Sequence, residues 1–213
     1  MTERKIYTRA YSTTSPRQLI SGKGSHGSPL SHAALEEEFK KHLIKSGNES
    51  TALISCSTRI LDTVQRAFDL HYNEGLSPAD ICIVFLELDA ASSRIHSAKE
   101  LAKKFKDPES DDFDYLAYDV VVEWAIPEQC VVHKTNLQYL MDRGLHANPL
   151  LHQPSSKLLS TMKLRKLISL HFRRRNSYDF GVSVGVFAQI FGVRAPVDWI
   201  AERVLKDCVR AGS

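Results

Sequence analysis

The sequence predicts an α+β fold: a mixed or antiparallel sheet with flanking helices and a helical C-terminal extension. Three observations predict it. Short runs rich in β-branched and aromatic residues recur at 5–11, 51–56, 81–86, 118–124 and 130–133. Between them lie segments with apolar residues at helical spacing, such as Ile60, Leu61, Val64, Ala67 and Phe68. From Ser156 onward the pattern is helical only.

Ile6, Tyr7 and Tyr11 are strand formers and Ser-Thr-Thr-Ser-Pro behind them is a breaker, so residues 5–11 form a first strand that carries Arg9. Residues 21–29, Ser-Gly-Lys-Gly-Ser-His-Gly-Ser-Pro, read as a mobile loop in which Gly22, Gly24 and Gly27 supply flexibility. No strand feeds that loop and no helix opens on it, so it is not a phosphate-binding G-x-G-x-x-G. Ser31 caps a helix through Lys45 that ends at Gly47, with Glu36, Glu37 and Glu38 expected to face solvent. The strand at 51–56 runs through Ser55-Cys56-Ser57-Thr58 into the next helix, which places small hydroxyls at a strand-to-helix junction.

The run Ile81-Cys82-Ile83-Val84-Phe85-Leu86 lacks alternation, which predicts a strand buried on both faces at the centre of the sheet. A helix over 98–105 precedes an acidic loop, and three consecutive valines mark the strand from Tyr118 to Trp124. Period two puts Asp119, Val121 and Glu123 on one of its faces. Pro127 closes that strand, a short strand follows at 130–133, and a helix over 136–143 ends at Gly144. A cationic helix over 156–173, an apolar helix over 180–191 and an amphipathic helix started by Pro196 complete the chain.

At 213 residues, 43% hydrophobic and 25% charged, the expectation is one globular domain. Residues 1–150 are read as the α+β core and 151–213 as a basic helical extension packed on it, with the seam at 148–153. No run of eighteen apolar residues occurs and the N-terminus lacks the apolar stretch of a secretory signal, so neither a membrane span nor export is expected. Cys56, Cys82, Cys130 and Cys208 form no C-x-x-C pair, which points to free thiols in a reducing, cytoplasmic compartment, Cys56 being the one to watch. The nine histidines show no H-E-x-x-H pairing, so no metal site and no cofactor are expected. His71, His96 and His133 read as surface or satisfied core residues.

The net charge of +3 is unevenly distributed. Acids crowd residues 107–119, whereas residues 157–175 carry Lys157, Lys163, Arg165, Lys166, Arg173, Arg174 and Arg175 with no acid among them. Such a cationic face suits the sequence-independent phosphate contacts of an RNA acceptor stem, with Phe172 and Tyr178 near enough in sequence to stack on bases. Asp119 and Glu123 are expected to project together, close enough to share one ligand, into an enclosed pocket that also receives the guanidinium of Arg9.

Tyr7-Thr8-Arg9-Ala10-Tyr11-Ser12, then Leu53-Ile54-Ser55-Cys56-Ser57, then an acidic strand followed by Trp124-Ala125-Ile126-Pro127 resembles the ADP-ribosyltransferase scaffold. The resemblance implies an ADP-ribosyltransferase-like sheet, Arg9 on its first strand, the hydroxyls of Ser55 and Ser57 on a later one, and Asp119 at the acidic position before the Ile-Pro turn. Aspartate stands there for the family's glutamate, Ala117 for a second acid and Cys56 for a threonine. The whole chain resembles a group of small fungal proteins that includes the arginine-containing cyclodipeptide synthases, whose acidic motif Asp-Asp-x-x-Glu keeps its first and last residues here as Asp119 and Glu123, with Val120 in place of the second aspartate.

That second resemblance implies an aminoacyltransferase that joins an arginyl group from arginyl-tRNA to a group from a second aminoacyl-tRNA. In it one of Asp119 and Glu123 holds the planar guanidinium and the other accepts a proton from the attacking amine. Ser55 or Ser57 is the candidate acceptor of an aminoacyl group. Arg9, Ser57, Tyr7 and Trp124 bind substrate, and Lys163, Arg165, Lys166, Arg173, Arg174 and Arg175 bind tRNA. The alternatives are a NAD-dependent ADP-ribosyltransferase or NAD glycohydrolase, and an inactive nucleotide- or protein-binding scaffold. The second amino acid and the oligomeric state stay open.

Overall fold

The computed structural model describes residues 4–15, 17–43, 49–105, 113–145, 166, 169–170 and 176–210. Six strands, β1 (Arg4–Ser12), β2 (Leu53–Ser57), β3 (Ile81–Asp89), β4 (Ile95–Ser97), β5 (Asp119–Glu123) and β6 (Val131–Asn136), form a sheet in the order β4-β5-β2-β1-β3-β6. The pairs β1–β2, β2–β5 and β4–β5 are antiparallel. Among the described residues the helices are α1 (His32–Leu43), α2 (Ile60–Tyr72), α3 (Ala98–Phe105), α4 (Leu137–Asp142), α5 (Ser177–Ile190) and α6 (Val197–Arg210). No described helix is long and apolar enough to cross a membrane.

The α+β reading therefore stands as a six-stranded antiparallel sheet with flanking helices. β4 had no signal in the sequence, because three residues are too few to establish a period. Residues 81–86 are all buried, as their lack of alternation implies, but β3 lies next to the edge strand β6, and the centre of the sheet belongs to β2 and β1. The expected seam at 148–153 and the acidic run at 107–112 fall outside the described residues, as does most of the expected cationic helix.

The chain forms two compact units interleaved in sequence. The first comprises Met1–Arg9, Ser15–Thr58 and Leu86–Val131, the second Ala10–Thr14, Arg59–Phe85 and Val132–Ser213. In the first, β2 and β5 pair with Leu53 opposite Glu123, Ser55 opposite Val121 and Ser57 opposite Asp119. Partners in an antiparallel pair share a face, so these six side chains lie on one side and Ile54, Cys56, Val120 and Val122 on the other. Leu35 and Phe39 of α1 and Ala98, Leu101 and Ala102 of α3 close over the first side against Leu53 and Val121. Each large apolar side chain so buried contributes roughly 1.5–3 kcal/mol.

Ser31 caps α1, its Oγ accepting from the Ala34 N–H at 3.3 Å. The helical period puts Leu35, Glu38, Phe39 and His42 on the inward stripe at i, i+3, i+4 and i+7. The expectation that all three glutamates face solvent is therefore corrected at one position. Glu38 is buried, accepting from the Ala52 N–H at 2.6 Å and pairing with Lys23, whereas Glu36 and Glu37 pair with Lys40 and Lys41 on the outer side.

The glycine loop is also corrected. The Trp124 indole N–H donates to the Ser28 carbonyl at 2.9 Å, Arg94 donates to the Gly27 carbonyl at 3.3 Å, and the Ser21 N–H donates to the Trp124 carbonyl at 2.6 Å. A Cβ on Gly27 would stand 2.0 Å from the Trp124 ring, so the glycine is there for close approach, not flexibility. Trp124 itself holds φ at 62°, a left-handed conformation that costs a bulky residue of order 1–3 kcal/mol and that these contacts maintain.

In the second unit, a buried ion pair joins Arg59 to Asp207 of α6 at 2.6 Å, and the Phe85 ring meets Phe191 and Trp199 edge-on. Asn136 and Asn176 cap α4 and α5, accepting from the Tyr139 and Asp179 N–H groups at 2.7 and 2.8 Å. Gly27→Ala should overpack the Trp124 contact and lower stability by about 1–3 kcal/mol in chemical denaturation. An unchanged midpoint would show that the indole is free to withdraw.

Candidate functional site

The site begins where β1 meets β2. Thr8 lies opposite Ser57, and its hydroxyl donates to the Ser57 carbonyl at 3.2 Å. The next residue, Arg9, spans outward with a guanidinium that donates to three carbonyls: Ser55 at 2.7 Å, Gln18 at 2.9 Å and Arg17 at 3.2 Å. A planar fork that meets three carbonyls is held in one orientation, so Arg9 ties the 17–18 segment to β2 at Ser55. Arg17 in turn donates to the Ser50 hydroxyl at 2.9 Å.

Beside this junction opens a cavity of about 230 Å³, lined by Arg9, Arg17, Lys41, His42, Glu49 and Ser55 together with Thr51 and neighbouring backbone. Three cations and one acid surround an exposed serine. A hydrogen bond from Lys41 to Glu37 raises the lysine's pKa above its ordinary value, so it stays charged. His42 reaches in from the inward stripe of α1. Its Nε2 lies 2.5 Å from Ser55 Oγ and its Nδ1 lies 2.9 Å from Thr51 Oγ1.

Ser55 and Arg9 thus share one cavity. Asp119 and Glu123 do not line it, and the expectation that they project together into a pocket with Arg9 is corrected. They share a face, but positions i and i+4 on a strand are about 13 Å apart, and Val121 between them is sealed under α1 and α3. Glu123 is 1% exposed; it accepts from the Leu30 N–H at 3.0 Å and is bonded to His96 Nε2 at 2.8 Å, which ties the glycine loop and β4 to the end of β5. Asp119 is half-buried opposite Ser57.

Tyr7 and Ser57 are buried and outside the cavity lining, and Trp124 is occupied with the glycine loop. Of the six expected tRNA-binding residues, Lys166 is described as an exposed helical residue, and Lys163, Arg165, Arg173, Arg174 and Arg175 lie outside the described residues. His71 and His133 each bond a backbone carbonyl, of Leu76 and of Phe191, at 2.8 Å. Among the described residues no group of three or more His, Cys, Asp or Glu side chains gathers as a metal site.

Cys56 points to the face opposite Ser55. Burial pushes its thiol up to about 12, with Asp119 adding to the rise and Arg9 opposing it. A thiol so placed is neutral and inert at physiological pH. His42, Thr51, Arg17, Lys41 and Glu49 had not been singled out from the sequence. For His42 the signal was present, since it continues the i, i+3, i+4, i+7 stripe that Leu35 begins.

The chain belongs to the family described as a domain of unknown function, DUF7587, whose model matches residues 6–140. No curated protein matches it. Among solved structures the chain is similar to one titled EcPltA, at 16% identity and a TM-score of 0.40, over 62% of this chain and 74% of that one. That likeness is too slight to carry an argument.

Glu38→Ala would leave the buried Ala52 N–H without its acceptor and should cost about 1–3 kcal/mol, read as a shift of the denaturation midpoint. Native protein treated with N-ethylmaleimide at pH 8 should lose Cys130, which is partly exposed, well before Cys56. Equal rates by peptide mass spectrometry would contradict the burial of Cys56.

Proposed function

We propose that this domain is an aminoacyltransferase that uses aminoacyl-tRNA, joining an arginyl group from arginyl-tRNA to a second aminoacyl group to give a cyclic dipeptide, on an ADP-ribosyltransferase-like scaffold. The observation that carries the reading is an exposed serine hydroxyl in a small, cation-lined cavity beside Arg9. At about 230 Å³ the cavity falls below the roughly 300–1,000 Å³ of sites that enclose a whole drug-sized ligand. It suits the terminal group of a larger substrate, whose body lies outside.

The lining chemistry fits such a terminus. Arg9, Arg17 and Lys41 suit the phosphodiester that precedes a terminal adenosine. Glu49 offers a carboxylate to a guanidinium, the pairing an arginyl group requires. The ester of an aminoacyl-tRNA is already activated, so the protein has to orient two esters and remove a proton from the attacking ammonium. Neither acid of β5 lines the cavity, and Glu123 is committed to the Leu30 N–H and His96, so that proton transfer falls to a group of the cavity wall.

Purified protein incubated with arginyl-tRNA and a mixture of other charged tRNAs should yield diketopiperazines by mass spectrometry. Nicotinamide release from NAD without any diketopiperazine would favour a NAD-consuming enzyme, and silence in both assays a binding scaffold. Replacing Arg173, Arg174 and Arg175 together should weaken tRNA binding and flatten its dependence on salt, each lost phosphate contact lowering the slope by roughly 0.7–0.9. An unchanged slope would remove that segment from the interface.

A further inference from the structure

His42 lies between two hydroxyls, its Nδ1 2.9 Å from Thr51 Oγ1 and its Nε2 2.5 Å from Ser55 Oγ. The Thr51 hydroxyl also approaches the Leu53 carbonyl, at 3.5 Å, and in the tautomer in which the threonine proton goes to that carbonyl, Nδ1 donates to Thr51 and Nε2 accepts from Ser55. Thr51 is buried, whereas Ser55 is exposed to the cavity. The chain Thr51, His42, Ser55 therefore runs from a fixed interior anchor to an accessible oxygen, the order in which a base is oriented and a nucleophile activated.

We infer that these three residues form an acyl-transfer relay, in which Ser55 Oγ attacks the carbonyl carbon of an ester, His42 is its general base, and Thr51 is a positioning residue that holds the imidazole in the required tautomer. In the first step the Oγ–C bond forms and the Oγ proton passes to His42 Nε2. The bond from that carbon to the leaving oxygen then breaks, and the leaving oxygen takes the proton from His42. The product is an acyl ester of Ser55 and a free alcohol, with His42 neutral again. An amine repeats the sequence in reverse, leaving an amide and free Ser55. No oxidant, metal or further reactant enters. Arg9 and Arg17 line the same cavity and suit the oxyanion that forms at each tetrahedral stage.

This inference deepens the aminoacyl-transfer reading and rests on it only for the identity of the natural ester. The full chain is treated with a fluorophosphonate, which replaces a P–F bond by a P–O bond to an activated serine, and adducts are located by peptide mass spectrometry. One adduct on Ser55 is expected, and none in Ser55→Ala. His42→Ala should lower the labelling rate about 100-fold or more, and added imidazole should restore part of it, a rescue that a damaged fold would not give. Thr51→Val should lower the rate about 10-fold by freeing the tautomer, and Thr51→Ser should recover it.

Labelling elsewhere than Ser55, no labelling at all, or an undiminished rate in His42→Ala overturns the relay. Diketopiperazine formation by Ser55→Ala at the wild-type rate also overturns it, while sustaining the tRNA-dependent reading. Labelling of Ser55 with no transfer from any charged tRNA supports the relay and removes tRNA as its ester.

Discussion

One buried carboxylate sets the geometry on which the site depends. Glu38 of α1 accepts from the Ala52 N–H just before β2 and pairs with Lys23 of the glycine loop. A carboxylate taken out of water is tolerated only when its lone pairs are filled, so the helix has little freedom to rotate or slide once these partners are engaged. Four residues later the same stripe presents His42, and because the register of α1 on β2 is already fixed, both ring nitrogens meet β2 and the residue leading into it. The apolar contacts of Leu35 and Phe39 with Leu53 and Val121 hold α1 down without specifying a register. The hydrogen bond supplies the specificity.

The two acids of β5 illustrate how position on a strand divides labour. Glu123 sits where β5 ends against the Trp124 corner, and its oxygens meet a backbone N–H and a histidine. Leaving a buried partner unmet would cost about 1–3 kcal/mol, against roughly 0.5–1.5 kcal/mol that a made hydrogen bond contributes, so the two partners account for an acid at a position that is 1% exposed. Asp119 begins the strand, where burial is partial. A five-residue strand is long enough to put its two ends in separate environments, so a D-x-x-x-E spacing, which in a helix would bring both groups to one ligand, here assigns them to different structures.

Most elements were legible in the sequence because each carried a local signature, the three-residue β4 being the exception. The unalternating run at 81–86, the three valines of β5, the stripe of α2 and the cap at Ser31 all act within a few residues. Arg9 and Ser55, which line one cavity, stood out in the sequence through a motif order spread over two strands. What could not be read was whatever depends on a contact between distant segments. Glu38 has the composition of a solvated helix face and is buried because a loop lysine and a strand N–H arrive beside it. Gly27 has the composition of a flexible loop and is required because an indole nearly a hundred positions later lies against it. His42 had a local signal, its place on the α1 stripe, but its partners were set by the long-range register.

The strain at Trp124 connects these observations. A tryptophan at φ 62° turns the chain out of β5, and that turn aims the indole N–H at Ser28 and the backbone carbonyl at Ser21. The loop held by those bonds contains Lys23, the partner of Glu38, and begins just after the Gln18 carbonyl that receives Arg9. The strained corner, the buried glutamate and the guanidinium on β1 are thus three supports of one segment, residues 17–30, which forms a wall of the cavity through Arg17, Ile20, Ser21 and Gly22. Strain at a single residue costs of order 1–3 kcal/mol, about the contribution of one or two of the hydrogen bonds it makes possible. The contacts made at the corner offset that cost, and they hold residues 17–30 in place beside the cavity.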